Sequence, residues 1–426
     1  MNVHDSEQIV ALMARKGYQP AHDVTDASLI IVNTCSIREK AAQKIMSQLG
    51  RYRSLKNSNP GVIIGVGGCL AQHMGKMLLE RVPHLDLVFG THNIHRLPDL
   101  VTLIEETGER LVETSVYDAI PSLTMIAAPE RGRISAFVTI MQGCNNYCAY
   151  CVVPYLRGRE ASRPSLNIVE EMQLLAKQGV KEVTLLGQNV NSYGRTLSEG
   201  IRFPELLRRI RTVEGIERIR FTTSHPKDLS DDLIRCFTGV PEVCEHIHLP
   251  VQSGSDKILK RMNRGYTRAS YLESVDKLRQ SCPEIAITSD IIVGFPGETE
   301  DDFNLTLDMM DKIRFDNLFS FKYSEREGTA AVHFTDKVPE EIKTERLKVL
   351  QSLQETHTLE KNQAMEGRRF DVLVDGWSKN NPDDPSGRTR TNKIVNFRGP
   401  EDLIGKTVSV RIKKAFLHSL RGEWNE

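Results

Sequence analysis

From Ser135 onward the chain alternates short β-branched runs with helical stretches six times without interruption, and this constrains the fold more than any other feature of its 426 residues. The strand-like runs are "SAFVTIM" from Ser135, "EVTLLG" from Glu182, "RIRFTT" from Arg218, "HIHLPV" from His246, "AITSDIIVG" from Ala286 and "NLFSFKYS" from Asn317. Such alternation specifies parallel strands joined by crossover helices. Six units in one series favour a barrel or an opened partial barrel, with function at the C-terminal ends of the strands. A doubly wound sheet has the same periodicity and stays open as an alternative.

The flanking regions have different patterns. Near the N-terminus "SLIIVNT", "GVIIGVG" and "LDLVFG" alternate with the helical patterns "IREKAAQKIMSQL" and "AQHMGKMLLERV", which reads as a small α/β domain on a parallel sheet over residues 1–115. "VYDAIPSLTMIAAPERGR" reads as a linker into the central domain, 130–355. A charged helical stretch from Glu340 leads to the β-rich runs "RRFDVLVDG", "TRTNKIVNF" and "GKTVSVRIKKAF", joined by the turn-forming "NNPDDPSGR", so that 359–424 reads as a small all-β domain.

Charge places any polyanion site locally. The chain carries 56 Lys and Arg against 56 Asp and Glu, a formal net charge of zero. From Gly367 to Glu426 there are 12 basic and 8 acidic residues, a net of +4. No apolar run approaches the ~18 residues of a membrane helix, and the first ten residues lack a secretory profile. A cytoplasmic protein is expected, in a reducing compartment where clustered cysteines serve as metal ligands or catalysts.

Three of the eight cysteines fall within eight residues, in "GCNNYCAYC" just after the first strand of the series. Cys144, Cys148 and Cys151 offer three thiols, with no histidine nearby to complete the four ligands zinc prefers. A four-thiol ferredoxin run is also absent from this loop. Three thiolates on a 4Fe-4S cluster leave one iron open to a substrate. Polar residues stand at later strand ends: Gln188, Asn189, Ser224, Gln252 and Asp290. Each can bind a cofactor's amino acid, ribose or adenine, or can equally be a cap or turn residue. His225 and His248 read as structural histidines, and Cys236, Cys244 and Cys282 as core residues.

The Cys-x-x-x-Cys-x-x-Cys spacing, with Tyr150 before the third cysteine, resembles the signature of radical S-adenosylmethionine (SAM) enzymes. That resemblance implies that the open iron chelates SAM and that an electron from the cluster cleaves it to a 5′-deoxyadenosyl radical. Tyr150, Gln188, Asn189, Ser224, Gln252 and Asp290 are the expected cofactor-binding residues.

"NTCSIREKA", "GCNNYCAYCVVPYLRGREASRP", "LLGQNVNSYG", "HLPVQSGSDKILKRMNRGYTR" and "SDIIVGFPGETEDDF" extend the likeness over essentially the whole chain to the methylthiotransferases. Among these it most resembles those acting on isopentenylated adenosine in tRNA, and its C-terminal segment is similar to the TRAM RNA-binding barrel. The resemblance implies an auxiliary 4Fe-4S cluster on three N-terminal cysteines, two of which match Cys35 and Cys69. The third belongs to a Gly-Cys-Gln-Met-Asn motif of which "MN" at the start of this chain is the end, so Met1 is expected to be internal to a longer protein that also supplies a first strand. The implied partner is the anticodon stem-loop of tRNA, with Arg388, Arg390 and Lys393 expected on its phosphates. A monomer is expected, with the electron donor and the sulfur donor unidentified. Sister enzymes for threonylcarbamoyl adenosine or for a ribosomal-protein aspartate, and a non-catalytic iron–sulfur RNA-binding protein, are the rival readings.

Overall fold

The computed structural model describes residues 2–34, 39–117 and 132–425, the side chains of 39–42 excepted. They form two compact units, the first containing the N-terminal region together with Met141–Asn145 and Val152–Arg163.

In the first unit helix α1 (Asn2–Arg15) precedes four parallel strands, β1 (Leu29–Thr34), β2 (Ile63–Gly68), β3 (Leu87–Phe89) and β4 (Leu111–Glu113), ordered β1-β2-β3-β4. Helices α2 (Glu39–Ser58), α3 (Cys69–Met74) and α4 (Lys76–Arg81) cover one face, where Ile64, Val66 and Val88 meet Leu49, Leu70 and Leu78. Helices α1 and α5 (Leu97–Thr107) cover the other, where Ile9 and Met13 join Ile63, Leu87, Phe89 and Leu97. Apolar faces on both sides of a parallel sheet require this double cover. The single helix expected over "AQHMGKMLLERV" is divided at Gly75, whose φ of 46° ends α3 and starts α4. A short antiparallel pair, β6 (Met141–Gln142) with β7 (Ala161–Ser162), and the one-turn helix α6 (Val153–Leu156) also belong to this unit.

The second unit contains the six expected strands: β5 (Ser135–Thr139), β8 (Glu182–Leu186), β9 (Arg218–Phe221), β10 (His246–His248), β11 (Ala286–Val293) and β12 (Asn317–Lys322). Parallel pairing runs β5-β8-β9 and β10-β11-β12. The two halves join where Ile219 N–H donates to Glu242 O at 2.7 Å and Cys244 N–H to Ile219 O at 3.0 Å. Spatial order thus follows chain order without the reversal that marks a doubly wound sheet, so the partial barrel is the correct alternative. Outward residues such as Val183, Leu185, Ile219 and Ile287 are buried under the crossover helices. Inward residues are largely polar, including Glu182, Arg218, Arg220, His248 and Asp290.

Helix α7 (Ser165–Lys177) begins the crossovers, which continue through α8 (Phe203–Ile210), α9 (Asp231–Gly239), α10 (Asp256–Arg261), α11 (Arg268–Ser281) and α12 (Glu300–Ile313). The long α13 (Glu340–Gln363) leads to a closed five-stranded barrel, β13 (Arg369–Trp377), β14 (Pro385–Thr389), β15 (Ile394–Asn396), β16 (Thr407–Ala415) and β17 (Leu420–Glu423), ordered β13-β14-β15-β17-β16. Two of these strands are not legible as runs. β14 begins inside the presumed turn "NNPDDPSGR", its Pro385 tolerated at the first position of a strand. Short β17 closes the barrel by pairing with both β15 and β16. No described helix is long and apolar enough to cross a membrane.

Candidate active site

The three-thiol loop is fixed by backbone geometry that admits few residues. Gly143 has φ of 77°, and a Cβ there would lie 2.0 Å from Arg159 O, so only glycine can lead the chain into Cys144. Cys144 N–H donates to Gly158 O at 3.2 Å, and Asn145 Oδ1 accepts from Glu160 N–H at 3.1 Å. Further along, Asn263 donates through Nδ2 to Tyr147 O at 3.0 Å, and Ala149 N–H donates to Met262 O at 2.9 Å. Cys151 N–H closes a turn onto Cys148 O at 2.9 Å.

A buried cation stands on this loop. Arg264, 4 % exposed, donates to Cys148 Sγ and to the Tyr150 hydroxyl, both at 3.3 Å, and to Pro250 O at 2.7 Å. Burial opposes its charge, yet the tyrosines and the thiol around it hold its pKa well above the ordinary value. A cation in that place suits the negative charge that ligating thiolates would bring. Burial also raises the Tyr150 pKa, so that hydroxyl stays protonated; its ring meets Phe295 edge-on at 6.5 Å. Arg264 was missed at the sequence level although it lies within the quoted "KRMNRGYTR". Nothing in the spacing tells a core arginine from an exposed one.

The C-terminal ends of β8, β9 and β10 hold polar side chains that the fold does not satisfy. Asn189 donates to Asp228 Oδ2 at 2.7 Å, but its Oδ1 is buried without a partner among the described residues. So are Asn191 Oδ1, Ser224 Oγ, His225 Nε2 and Gln252 Oε1. An unmet buried polar atom costs about 1–3 kcal/mol, and native proteins keep few of them. Two residues here also adopt left-handed backbone without being glycine, Thr223 at φ 69° and Gln252 at φ 72°. Gln252 N–H donates to Asp290 O at 2.8 Å, and the Asp290 carboxylate lies 3.4 Å from His248 Nε2.

His225 Nδ1 accepts from Lys227 N–H at 3.3 Å, and burial beside Arg264 and Lys227 depresses its pKa to about 2. The ring is neutral, so its proton sits on Nε2, which becomes a donor awaiting an acceptor. Donors and acceptors left open at one end of the barrel, in the same unit as Cys148 and Cys151, fit a cluster plus a polar cofactor carrying amino-acid, ribose and base groups. Gln188 follows β8 and Tyr150 lies in the loop itself.

The other expected residues are placed differently. Cys35 lies outside the described residues. Cys69 opens α3 after Gly68, and its thiol accepts from Arg157, which also meets Asp5 at 2.8 Å. A cation on a buried thiol suits a thiolate ligand. Arg390, expected on phosphate, donates to both Glu245 carboxylate oxygens at 2.7 and 3.0 Å and to Val243 O at 2.7 Å. Lys393 lies 3.5 Å from Asp316 and is largely buried. Both side chains expected on phosphate are thus engaged in ion pairs within the chain. Arg388 is more exposed, 3.7 Å from Asp375.

Comparison with known families agrees with this geometry. The Radical SAM superfamily model matches residues 138–310 and the TRAM domain model residues 363–424. A third model, Uncharacterized protein family UPF0004, matches residues 1–90. Among solved structures, the radical S-adenosylmethionine methyltransferase TsrM from Kitasatospora setae, with cobalamin and a 4Fe-4S cluster bound, has a TM-score of 0.57 at 15 % identity, covering 77 % of this chain and 70 % of that one. The fold and the three-thiol loop define a radical SAM protein.

The full-length relatives narrow this. A protein of Syntrophus aciditrophicus is 63 % identical over 99 % of this chain and 92 % of its own length, and one of Geobacter sulfurreducens is 52 % identical over 99 % and 95 %. Both are named tRNA-2-methylthio-N(6)-dimethylallyladenosine synthase. The chain belongs to that family.

Proposed function

We propose that this protein converts the isopentenyladenosine 3′ of the anticodon in tRNA to its 2-methylthio derivative. The observation that carries the reading is the coincidence of three thiols, a buried cation and unsatisfied polar atoms at one end of the six-stranded barrel, in a chain whose full-length relatives bear that name. When bound, a 4Fe-4S cluster with SAM supplies a carbon-centred radical able to remove hydrogen from an unactivated ring carbon, which no side-chain acid or base can do.

The chain's own residues hold and shield this chemistry. Cys144, Cys148 and Cys151 ligate the cluster, and Arg264 neutralises charge on it. Gln188, Asn189, Ser224, Gln252 and Asp290 receive the amino-acid and nucleoside parts of SAM, while His225 offers a hydrogen bond from Nε2 and Tyr150 stays protonated beside Arg264. Cys35 and Cys69 are the proposed ligands of the auxiliary cluster, with Arg157 as the cation on Cys69. The TRAM barrel grips the anticodon stem, and Arg388 remains the phosphate contact of the three first expected. A base in a single-stranded loop is splayed out at little unstacking cost.

Nucleoside mass spectrometry of tRNA from cells lacking the protein tests the reading. Loss of the methylthio group from isopentenyladenosine supports it. Loss from threonylcarbamoyl adenosine instead, or intact modification, rejects it.

A further inference from the structure

The TRAM barrel meets the radical SAM barrel through hydrogen bonds and ion pairs with donors on both sides. Arg218 and Arg220, neighbours on the inner face of β9, are 2 % and 5 % exposed. Arg218 donates to Arg388 O at 2.6 Å and Asp371 O at 3.1 Å; Arg220 donates to Arg390 O at 2.7 Å and Thr389 O at 2.8 Å. Both guanidinium forks thus leave the barrel lumen and close on backbone carbonyls of the RNA-binding domain. In the reverse direction the Arg390 fork closes on Glu245 and on Val243 O and Pro241 O, in the segment leading into β10. Lys393 faces Asp316, which also pairs with Lys361 at 2.8 Å and accepts from Ile287 N–H at 3.0 Å.

Three points set this contact apart from ordinary domain packing. Three of its four carbonyl acceptors on the TRAM side, at 388, 389 and 390, are consecutive and the fourth is Asp371 O on β13, so the end of β14 is fixed in position and orientation together. Its catalytic-barrel partners stand on β9 and just before β10 and β12. Planar guanidinium forks tolerate little rotation.

We infer that Arg218, Arg220, Arg390 and Glu245 are positioning residues for the modification reaction: they lock the TRAM barrel to the base of the radical SAM barrel, so that RNA held by one is presented in fixed register to the radical formed on the other. The inference rests on the tRNA-modifying reading. It gives Arg390 a role distinct from phosphate contact. The lock acts through geometry, and a misplacement of about 1 Å can cost about a hundredfold in rate.

The test uses the reconstituted full-length holoenzyme with Arg390→Gln and Glu245→Gln, both at partly exposed sites. Four quantities are read: tRNA affinity, SAM cleavage without RNA, kcat and KM for methylthiolation, and 5′-deoxyadenosine released per methylthio group transferred. Each variant should keep tRNA affinity and RNA-free cleavage within about twofold, while kcat falls about tenfold or more and the ratio of deoxyadenosine to product rises. Amides of Thr389–Lys393 should exchange with solvent faster. Arg390→Lys should recover part of the coupling.

Loss of tRNA affinity with kcat intact would make Arg390 an RNA contact and overturn the inference. So would parallel loss of RNA-free cleavage, or no change in any quantity. If wild-type protein transfers no methylthio group, the functional reading fails while the lock is still judged by amide exchange: unchanged exchange in Arg390→Gln and Glu245→Gln rejects it. Should either variant fail to fold, Thr407→Val, which removes the 3.2 Å bond to Glu217 at the margin of the same contact, is scored by the same criteria.

Discussion

The two ends of the radical SAM barrel are built on opposite rules. At the N-terminal ends of its strands, every charge described above has a partner: Arg220 with Glu182 at 2.9 Å, Arg390 with Glu245, Lys361 and Lys393 with Asp316. At the C-terminal ends, Asn189, Ser224, His225 and Gln252 each keep a buried polar atom unmet, and two non-glycine residues hold left-handed backbone. The proposed function assigns the first end to stability and the second to ligands. The difference teaches that burial alone does not identify a site: at one end the buried groups are mainly charges held in ion pairs, at the other they are neutral amide, hydroxyl and imidazole groups with an open atom.

The largest effect should come from the open end. Cys148→Ala removes one of three thiols and the sulfur facing Arg264, and should lower RNA-free SAM cleavage about a thousandfold or more while the melting temperature stays nearly unchanged. Iron and sulfide content should fall with it. Cleavage that survives would break the comparison at its strongest point, since the loop would then be structural.

The paired end should answer in stability. Asp316→Ala leaves Lys361 and Lys393 without their carboxylate and Ile287 N–H without its acceptor. Removing one partner of a buried pair costs about 3–5 kcal/mol. A loss near 3 kcal/mol is expected by urea unfolding, with iron content per folded molecule unchanged. A loss under about 1 kcal/mol would mean that this end is no better paired than an ordinary surface.

Returning to the open end, Ser224→Ala and Gln252→Ala delete oxygens, Oγ and Oε1, that have no partner among the described residues. Deleting an unmet buried polar group is close to neutral, or stabilising, by up to about 1 kcal/mol. If these groups are held for SAM, the KM for SAM should rise about tenfold, one lost hydrogen bond each, at unchanged melting temperature. A fall in stability with unchanged KM would show that Ser224 and Gln252 serve the fold instead.

Much of this division could be read in the sequence, and the missing part has a physical cause. Strand order and the thiol loop were legible because periodicity and local spacing encode them; Cys144, Cys148 and Cys151 lie within one turn-rich segment. Arg264 and the lock were not legible, because their partners come from 116 residues away (Cys148) and 145 residues away (Glu245 to Arg390). Arg390 and Lys393 illustrate the limit directly. The sequence shows a basic turn on a β-barrel, and only the fold shows Glu245 and Asp316 paired with it. Strands β14 and β17 escaped for a related reason, since barrel closure and not hydrophobic alternation makes them strands.

A smaller effect distinguishes the ends by protons. Burial, with nearby Arg220 and His248, depresses the His246 pKa to about 3 at the paired end, and burial beside Arg264 depresses that of His225 to about 2 at the open end. Both rings are neutral when folded, whereas an unfolded histidine binds a proton near pH 6.5. The unfolded state therefore holds more protons below pH 6.5, and the stability each ring contributes is full above that pH and is lost as pH falls toward the folded value. Between pH 6.5 and 5.5 each should account for about 1 kcal/mol of that loss. His246→Gln and His225→Gln should each flatten the acid limb of the urea-unfolding curve by this amount, whatever their effect at neutral pH. The KM for SAM separates them: it should rise for His225→Gln, whose Nε2 donor is lost, and stay constant for His246→Gln. If His246→Gln raised it equally, the lumen would be one continuous site and the division between its ends would fall.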